Sequence, residues 1–224
     1  MAAEIRPSAD NLKESPLLKD SMMDKPDSNS SPQANLAAPG VGLPRLQAFV
    51  LRHVLFPAFC RTTSWDKALG LFLHEGERVA AAAQSLSPNA LQTRVLIRAP
   101  MGIEDSSRYW SVAMVLEHLI EVGSRVATGV VELTHGQPVS VKADIADVKP
   151  KGKIDEGIVS TYRLFLEGYQ NKLVHQTGNR KAQNTAPHPW FGDLTPQRWV
   201  CLGAIHQQIH RRQIERIIAG LRQG

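Results

Sequence analysis

The chain has 224 residues, 42% of them hydrophobic and 21% charged, with a net charge of +5; this is an ordinary soluble composition with enough apolar side chains for a core. Two cysteines in the whole chain exclude a disulfide scaffold or a cysteine-built zinc finger, and no run of roughly 18 or more apolar residues exists to span a membrane. The basic surplus permits acidic partners without establishing them.

The first 45 residues differ from the rest. They hold six prolines (Pro7, Pro16, Pro26, Pro32, Pro39, Pro44), no aromatic residue and no apolar periodicity. Such a composition cannot offset the entropy lost on ordering a backbone, so residues 1–45 read as a disordered tail and 46–224 as the folded domain. Glu4, Asp10 and Glu14 near the start argue against a secretory signal, and a cytoplasmic location is expected. The tail carries five basic and six acidic side chains, leaving 21 and 15 on the remainder, a net +6. The basic surplus therefore belongs to the folded part.

Within that part, Leu46 to Phe59 is a short apolar arm interrupted by Pro57, able to pair subunits in a homodimer. Ser64 is a candidate N-cap for a first long helix, in which Trp65, Leu69, Phe72, Gly76, Val79, Ala83 and Leu86 recur at spacings of four and three. Ser87-Pro88-Asn89 ends or restarts it, and Leu91 to Ala99 leads to a loop around Pro100 and Gly102. A second helix is predicted from Asp105 or Ser106 to about Val126. A Gly, Pro and Lys-rich connection follows from Thr134 to Lys153, then a third helix within Ile154 to Leu173, striped by Ile158, Tyr162, Phe165 and Tyr169. Thr195-Pro196 opens the last helix, which continues to about Leu221. Four long helices with extended crossovers predict an all-α fold, an antiparallel four-helix bundle.

The last helix carries the most informative feature. At 100° per residue from Trp199, His206 falls at about −20° and His210 at about +20°, in the centre of the apolar stripe with Leu202, Gly203 and Ile217. Gln208, Arg211, Arg212 and Glu215 fall on the opposite, solvated side. Two imidazoles four residues apart on one face can reach the same ion; two core histidines satisfied by neighbours or water are the alternative. His118, in the middle of the second helix, is the candidate third ligand. Three histidines from two helices would leave a coordination position open, as a catalytic metal requires.

The other five histidines carry less. His53 lies in the arm, His74 on an outer face, and His135 and His175 at element ends; His188 precedes a proline and an aromatic pair, where a structural hydrogen bond is expected. Cys201 lies about 140° around the helix from His206 and cannot join that site; Cys60 reads as packing. Gln207 follows His206 where a metalloprotease box would have glutamate, and no P-loop, dinucleotide fingerprint or serine elbow occurs.

The stretch EDSSRYWSVAMVLEHL (Glu104 to Leu119), the turn His188-Pro189-Trp190-Phe191-Gly192-Asp193-Leu194, Trp199 and HQQIHRRQIERI from His206 together resemble the DinB-like superfamily over roughly Ser64 to Ile218. That family comprises metal-binding four-helix bundles and includes thiol S-transferases that use bacillithiol or mycothiol. The resemblance implies that His118, His206 and His210 are the metal ligands. It also implies zinc or nickel as the metal, with a low-molecular-weight thiol as a candidate co-substrate.

The function expected is thus thiol transfer to, or metal-dependent hydrolysis of, a small electrophilic substrate; Arg125, near His118 on the helix surface, is a candidate for holding a carboxylate. A non-catalytic, metal-stabilised binding module is the alternative. Nucleic acid is disfavoured as a partner, because Arg211, Arg212, Arg216 and Arg222 have no recognition motif beside them.

Overall fold

The computed structural model describes residues 35–140, 147–152 and 157–223. The predicted tail up to residue 34, part of the Thr134 to Lys153 connection (141–146), the first residues of the predicted third helix (153–156) and Gly224 lie outside the described residues.

Seven α-helices are described: α1 (Arg45–Val50), α2 (Phe56–Thr62), α3 (Trp65–Gln84), α4 (Pro88–Gln92), α5 (Val112–Thr134), α6 (Ile158–His175) and α7 (Pro196–Leu221). A single wide turn, Leu51–Leu55, joins α1 to α2, so the arm is helical throughout. It leaves Leu46, Phe49 and Val54 exposed. Two short antiparallel ladders complete the described elements: β1 (Val95–Leu96) with β2 (Tyr109–Trp110), and β3 (Ala186–His188) with β4 (Gly192–Leu194).

The helix starts follow from capping. Ser64 Oγ accepts the Lys67 N–H at 3.3 Å, as predicted, and Pro196 occupies the first turn of α7. The second long helix begins later than its sequence indicates. Asp105–Ser107 form one isolated tight turn, and Ser111, whose Oγ accepts the Met114 N–H at 3.2 Å, is the true cap. The carboxylates of Glu104 and Asp105 are engaged elsewhere: Glu104 accepts the Gly42 N–H at 3.0 Å and Asp105 the Ala37 N–H at 2.8 Å. The same helix runs on to Thr134, because Val130 and Leu133 still face the core.

The long helices α3, α5, α6 and α7 form an all-α bundle in which α3 packs on α6 and α7, and α5 on the same two. Arg163 near the start of α6 donates to Glu77 and Gln84 late in α3, at 3.0 and 2.9 Å, so that pair is antiparallel. The α5/α7 pair is also antiparallel: Gln213 reaches the Ser107 carbonyl ahead of α5 at 2.8 Å, while His118 meets His206. By contrast, α5 and α6 run parallel, since Lys172 donates to Thr128 at 3.2 Å and Gly178 to Thr134 at 3.0 Å. Along α3 and α7 the direction is again shared, from Gln197 on the Thr63 carbonyl at 2.9 Å to Arg78 beside Glu215 at 3.7 Å. Parallel neighbours require long crossovers, which is the structural reason for the stretch between α5 and α6.

Small residues let the helices close. A methyl group on Gly123 would overlap the Phe165 ring, and one on Gly203 would stand 2.9 Å from the Tyr169 hydroxyl. Tyr169 in turn stacks on Phe72 with ring centroids 3.8 Å apart. This packing brings α7 close to α3 and α6 and leaves its His206 and His210 turns facing α5.

Candidate metal centre

His118 comes from the second turn of α5, and His206 and His210 from the middle of α7. Because those helices are antiparallel neighbours, the three rings meet, with centroids 5.1 Å apart for His118 and His206, 4.7 Å for His118 and His210, and 4.4 Å for His206 and His210. One nitrogen from each ring lies within 4.8 Å of the other two, close enough for the set to hold a metal ion. The His118 and His206 Nε2 atoms are 3.2 Å apart, and two nitrogens bound tetrahedrally to one zinc would be separated by about 3.3 Å.

The remaining ring nitrogens show which atoms are available. His118 Nδ1 lies 2.7 Å from the Val148 carbonyl, which can only accept, so Nδ1 carries the proton and Nε2 the lone pair. At His210, Nδ1 lies 2.7 Å from Gln213 Oε1. The orientation of that amide is fixed by its Nε2, which donates to the Ser107 carbonyl at 2.8 Å. His210 Nδ1 is therefore also a donor, and its Nε2 is left with a lone pair. Partners of this kind orient a ligating imidazole and raise its basicity.

Burial acts in the same direction on all three. It lowers the His118 pKa to about 4, against a rise from the Val148 hydrogen bond. Burial, reinforced by neighbouring histidines, holds His206 and His210 well below the ordinary imidazole range. Neutral imidazoles keep the lone pairs that suit a cation, and His206 Nε2 can donate to His118 Nε2 until an ion displaces that proton.

The supports come from segments with no metal-binding signature. Lys149, next to Val148, forms an ion pair with Glu104 at 2.7 Å and donates to Ser106 and Ser107 at 3.0 and 2.8 Å. Two N–H groups, of Lys151 and Gly152, reach the Glu117 carboxylate at 2.9 and 3.3 Å. These contacts pin the crossover to α5 and present the Val148 carbonyl to His118. Trp110 lies parallel to the His210 ring at 6.4 Å and beside His118 at 5.3 Å, with Lys149 Nζ 5.4 Å from its centroid. Sequence reasoning missed Val148, Gln213, Ser107 and Trp110. Gln213 alone left a trace, as a polar residue one turn from His210; a backbone carbonyl in a crossover leaves none.

A cavity of about 740 Å³ opens onto all three histidines. Its walls are mainly apolar, with Phe56, Phe59, Leu119, Val122 and Leu202 among them. Two donors in the lining, Trp199 Nε1 and Gln207 Nε2, are buried and meet no acceptor among the described residues.

The other predicted positions separate from the site. His53, His74 and His175 are exposed, and His135 donates to the Gln176 carbonyl at 3.0 Å. His188 lines the cavity, but its Nδ1 accepts the Trp190 and Phe191 N–H groups at 3.1 and 3.3 Å, the structural bond expected of it. Arg125 also lines the cavity and is held by Glu121 at 2.6 Å. Arg211 does not lie on a solvated side: it is buried and paired with Glu75 and Glu215, because that edge of α7 faces α3. Arg216 donates to the Arg98 carbonyl at 2.6 Å. Two of the four arginines weighed for nucleic acid thus have partners within the fold.

Among the described residues no helix is long and apolar enough to cross a membrane. Neither a protein-family model nor a curated protein matches the chain. Among solved structures it is similar to the crystal structure of TT2238, a four-helix bundle protein, at 22% identity over 68% of this chain and 98% of that one, with a TM-score of 0.44.

Proposed function

We propose that the protein is a DinB-like metal protein in which His118, His206 and His210 hold one zinc or nickel ion through Nε2. In this reading it transfers a small thiol to a mainly apolar electrophilic substrate bound in the adjoining cavity. The observation that carries the reading is the pairing of His118 Nδ1 with Val148 and of His210 Nδ1 with Gln213, which aims two lone pairs at the side of His206. Imidazole sets of this kind suit zinc and nickel, and three protein ligands leave a position open for a small molecule.

An ion held by His118, His206 and His210 would supply Lewis acidity that favours the thiolate form of a small thiol. The chain's own residues do the rest. The apolar walls exclude water from the reacting centre. Arg125, which lines the cavity and pairs with Glu121, is the candidate for holding a carboxylate on the thiol. The substrate's leaving group departs with the electron pair of the broken bond, as the sulfur–carbon bond forms.

Metal-loaded protein supplied with low-molecular-weight thiols and apolar electrophiles such as aryl halides or epoxides tests the reading. The expected result is conjugation that depends on metal and is lost in His206→Ala. Metal retained without conjugation across such panels, but with a partner captured through the residue 1–45 tail, would replace it with a metal-stabilised binding module.

A further inference from the structure

The arm formed by α1, the wide turn and α2 has two faces. Leu51, Leu55, Phe56 and Phe59 line the large cavity. Outside it, Leu46 is 77% exposed, Phe49 59% and Val54 53%. Leu46, Phe49 and His53 follow one another at three and four residues, the spacing of a single helical stripe. The Phe49 and His53 rings lie with centroids 4.9 Å apart, so the stripe continues from α1 into the wide turn, with Val54 next to it. The arm thus carries an outward apolar ridge behind the wall it gives to the cavity.

The charges of the arm share one sign. Arg45, Arg52 and Arg61 are exposed, and none has an acidic partner among the described residues. No aspartate or glutamate occurs between Asp27 and Asp66. A helical segment that sets Leu and Phe beside arginines, without acids, has the chemistry of an interfacial helix, whose apolar side chains enter the acyl boundary while its cations meet anionic headgroups. A second copy of the chain, the occupant expected from the sequence, answers this surface less well. Pairing like faces would bring the arginines of one arm toward those of the other, with no carboxylate on either arm to offset them.

We propose that the arm, Arg45 to Phe59, anchors the protein to the surface of an anionic lipid bilayer, with Leu46, Phe49 and Val54 entering the acyl boundary and Arg45 and Arg52 meeting headgroup phosphates. The attachment is reversible, since a ridge of a few side chains buries little apolar surface and depends on the added electrostatic attraction. Leu55, 45% exposed and also part of the cavity wall, joins the two faces of the arm. An anchored arm therefore sets a wall of the cavity against the lipid. The anchor uses none of His118, His206 and His210 and is independent of the metal reading.

The test is sedimentation of the full-length protein with vesicles of phosphatidylcholine alone or mixed with phosphatidylglycerol, at low and high salt. The wild type should pellet with the mixed vesicles, stay in solution with the neutral ones and be released as salt rises. Phe49→Glu, and separately Arg45→Glu with Arg52→Glu, should weaken binding by at least about tenfold with helix content unchanged. Leu164→Glu, at a 66% exposed position of α6, should bind like the wild type. Failure to pellet with mixed vesicles at low salt, equal binding to neutral vesicles, a Phe49→Glu variant that binds like the wild type, or an equal loss in Leu164→Glu would overturn the proposal. So would a dimer that Phe49→Glu dissolves without any vesicle binding, which would give the ridge to a second copy.

Discussion

His210 and Gln213 stand one helical turn apart on α7, and the Gln213 amide accepts the His210 Nδ1–H at 2.7 Å while its own N–H reaches the Ser107 carbonyl at 2.8 Å. One buried amide thus ties the ring orientation of a candidate ligand to the loop before α5. Gln213→Leu keeps the volume and removes both bonds. It is expected to weaken divalent-metal affinity by about 10- to 100-fold, the usual effect of losing a partner to a ligating histidine, with the helix content unchanged. Competition against a chromophoric chelator, paired with circular dichroism, measures both.

The Glu104–Lys149 pair gives the crossover a pH signature. Burial pushes the Glu104 carboxyl up, but the Lys149 ammonium and the Gly42 and Gly40 N–H groups outweigh it and hold the pKa below the ordinary value. A carboxylate lowered in the folded state adds stability above its unfolded pKa of about 4.3, and that contribution fades as the pH falls through the lower folded value. Glu104→Gln should therefore lower the urea midpoint at neutral pH, and the gap to wild type should narrow below about pH 4. A gap that stays constant from neutral to acid pH would contradict this account of the pair.

Helix approach is set at Gly123, where any added methyl meets the Phe165 ring. Gly123→Ala would gain helix propensity but overpack the α5/α6 contact. The expected net loss is about 1–3 kcal/mol, read from denaturant unfolding. Gly123→Ala with Phe165→Leu should recover part of it, since the ring is the obstacle.

How much of this was legible in the sequence follows the physics of each signal. Amphipathic periodicity and capping residues announce long helices, so α3, α6 and α7 lie close to their expected spans. The start of α5 was displaced because Asp105 and Ser106 look like caps locally, whereas tertiary hydrogen bonds from Ala37, Gly42 and Lys149 engage that loop instead. The face shared by His206 and His210 is a one-dimensional property, and it survived folding. The partner of Arg211 did not show, because the angular position of a residue on a helix does not say which neighbour covers that edge. Nor did the Val148 carbonyl, which lies in a crossover without periodicity.

The central claim is that His118, His206 and His210 bind one divalent ion together. Its most direct test is elemental analysis of untagged protein after loading with zinc or nickel and gel filtration, alongside His118→Ala, His206→Ala and His210→Ala. The account predicts about one ion per chain in the wild type, with affinity falling by at least about 100-fold in each variant as a ligand is lost. Wild-type protein that retains no ion, or a His206→Ala variant that binds as tightly as wild type, would contradict it.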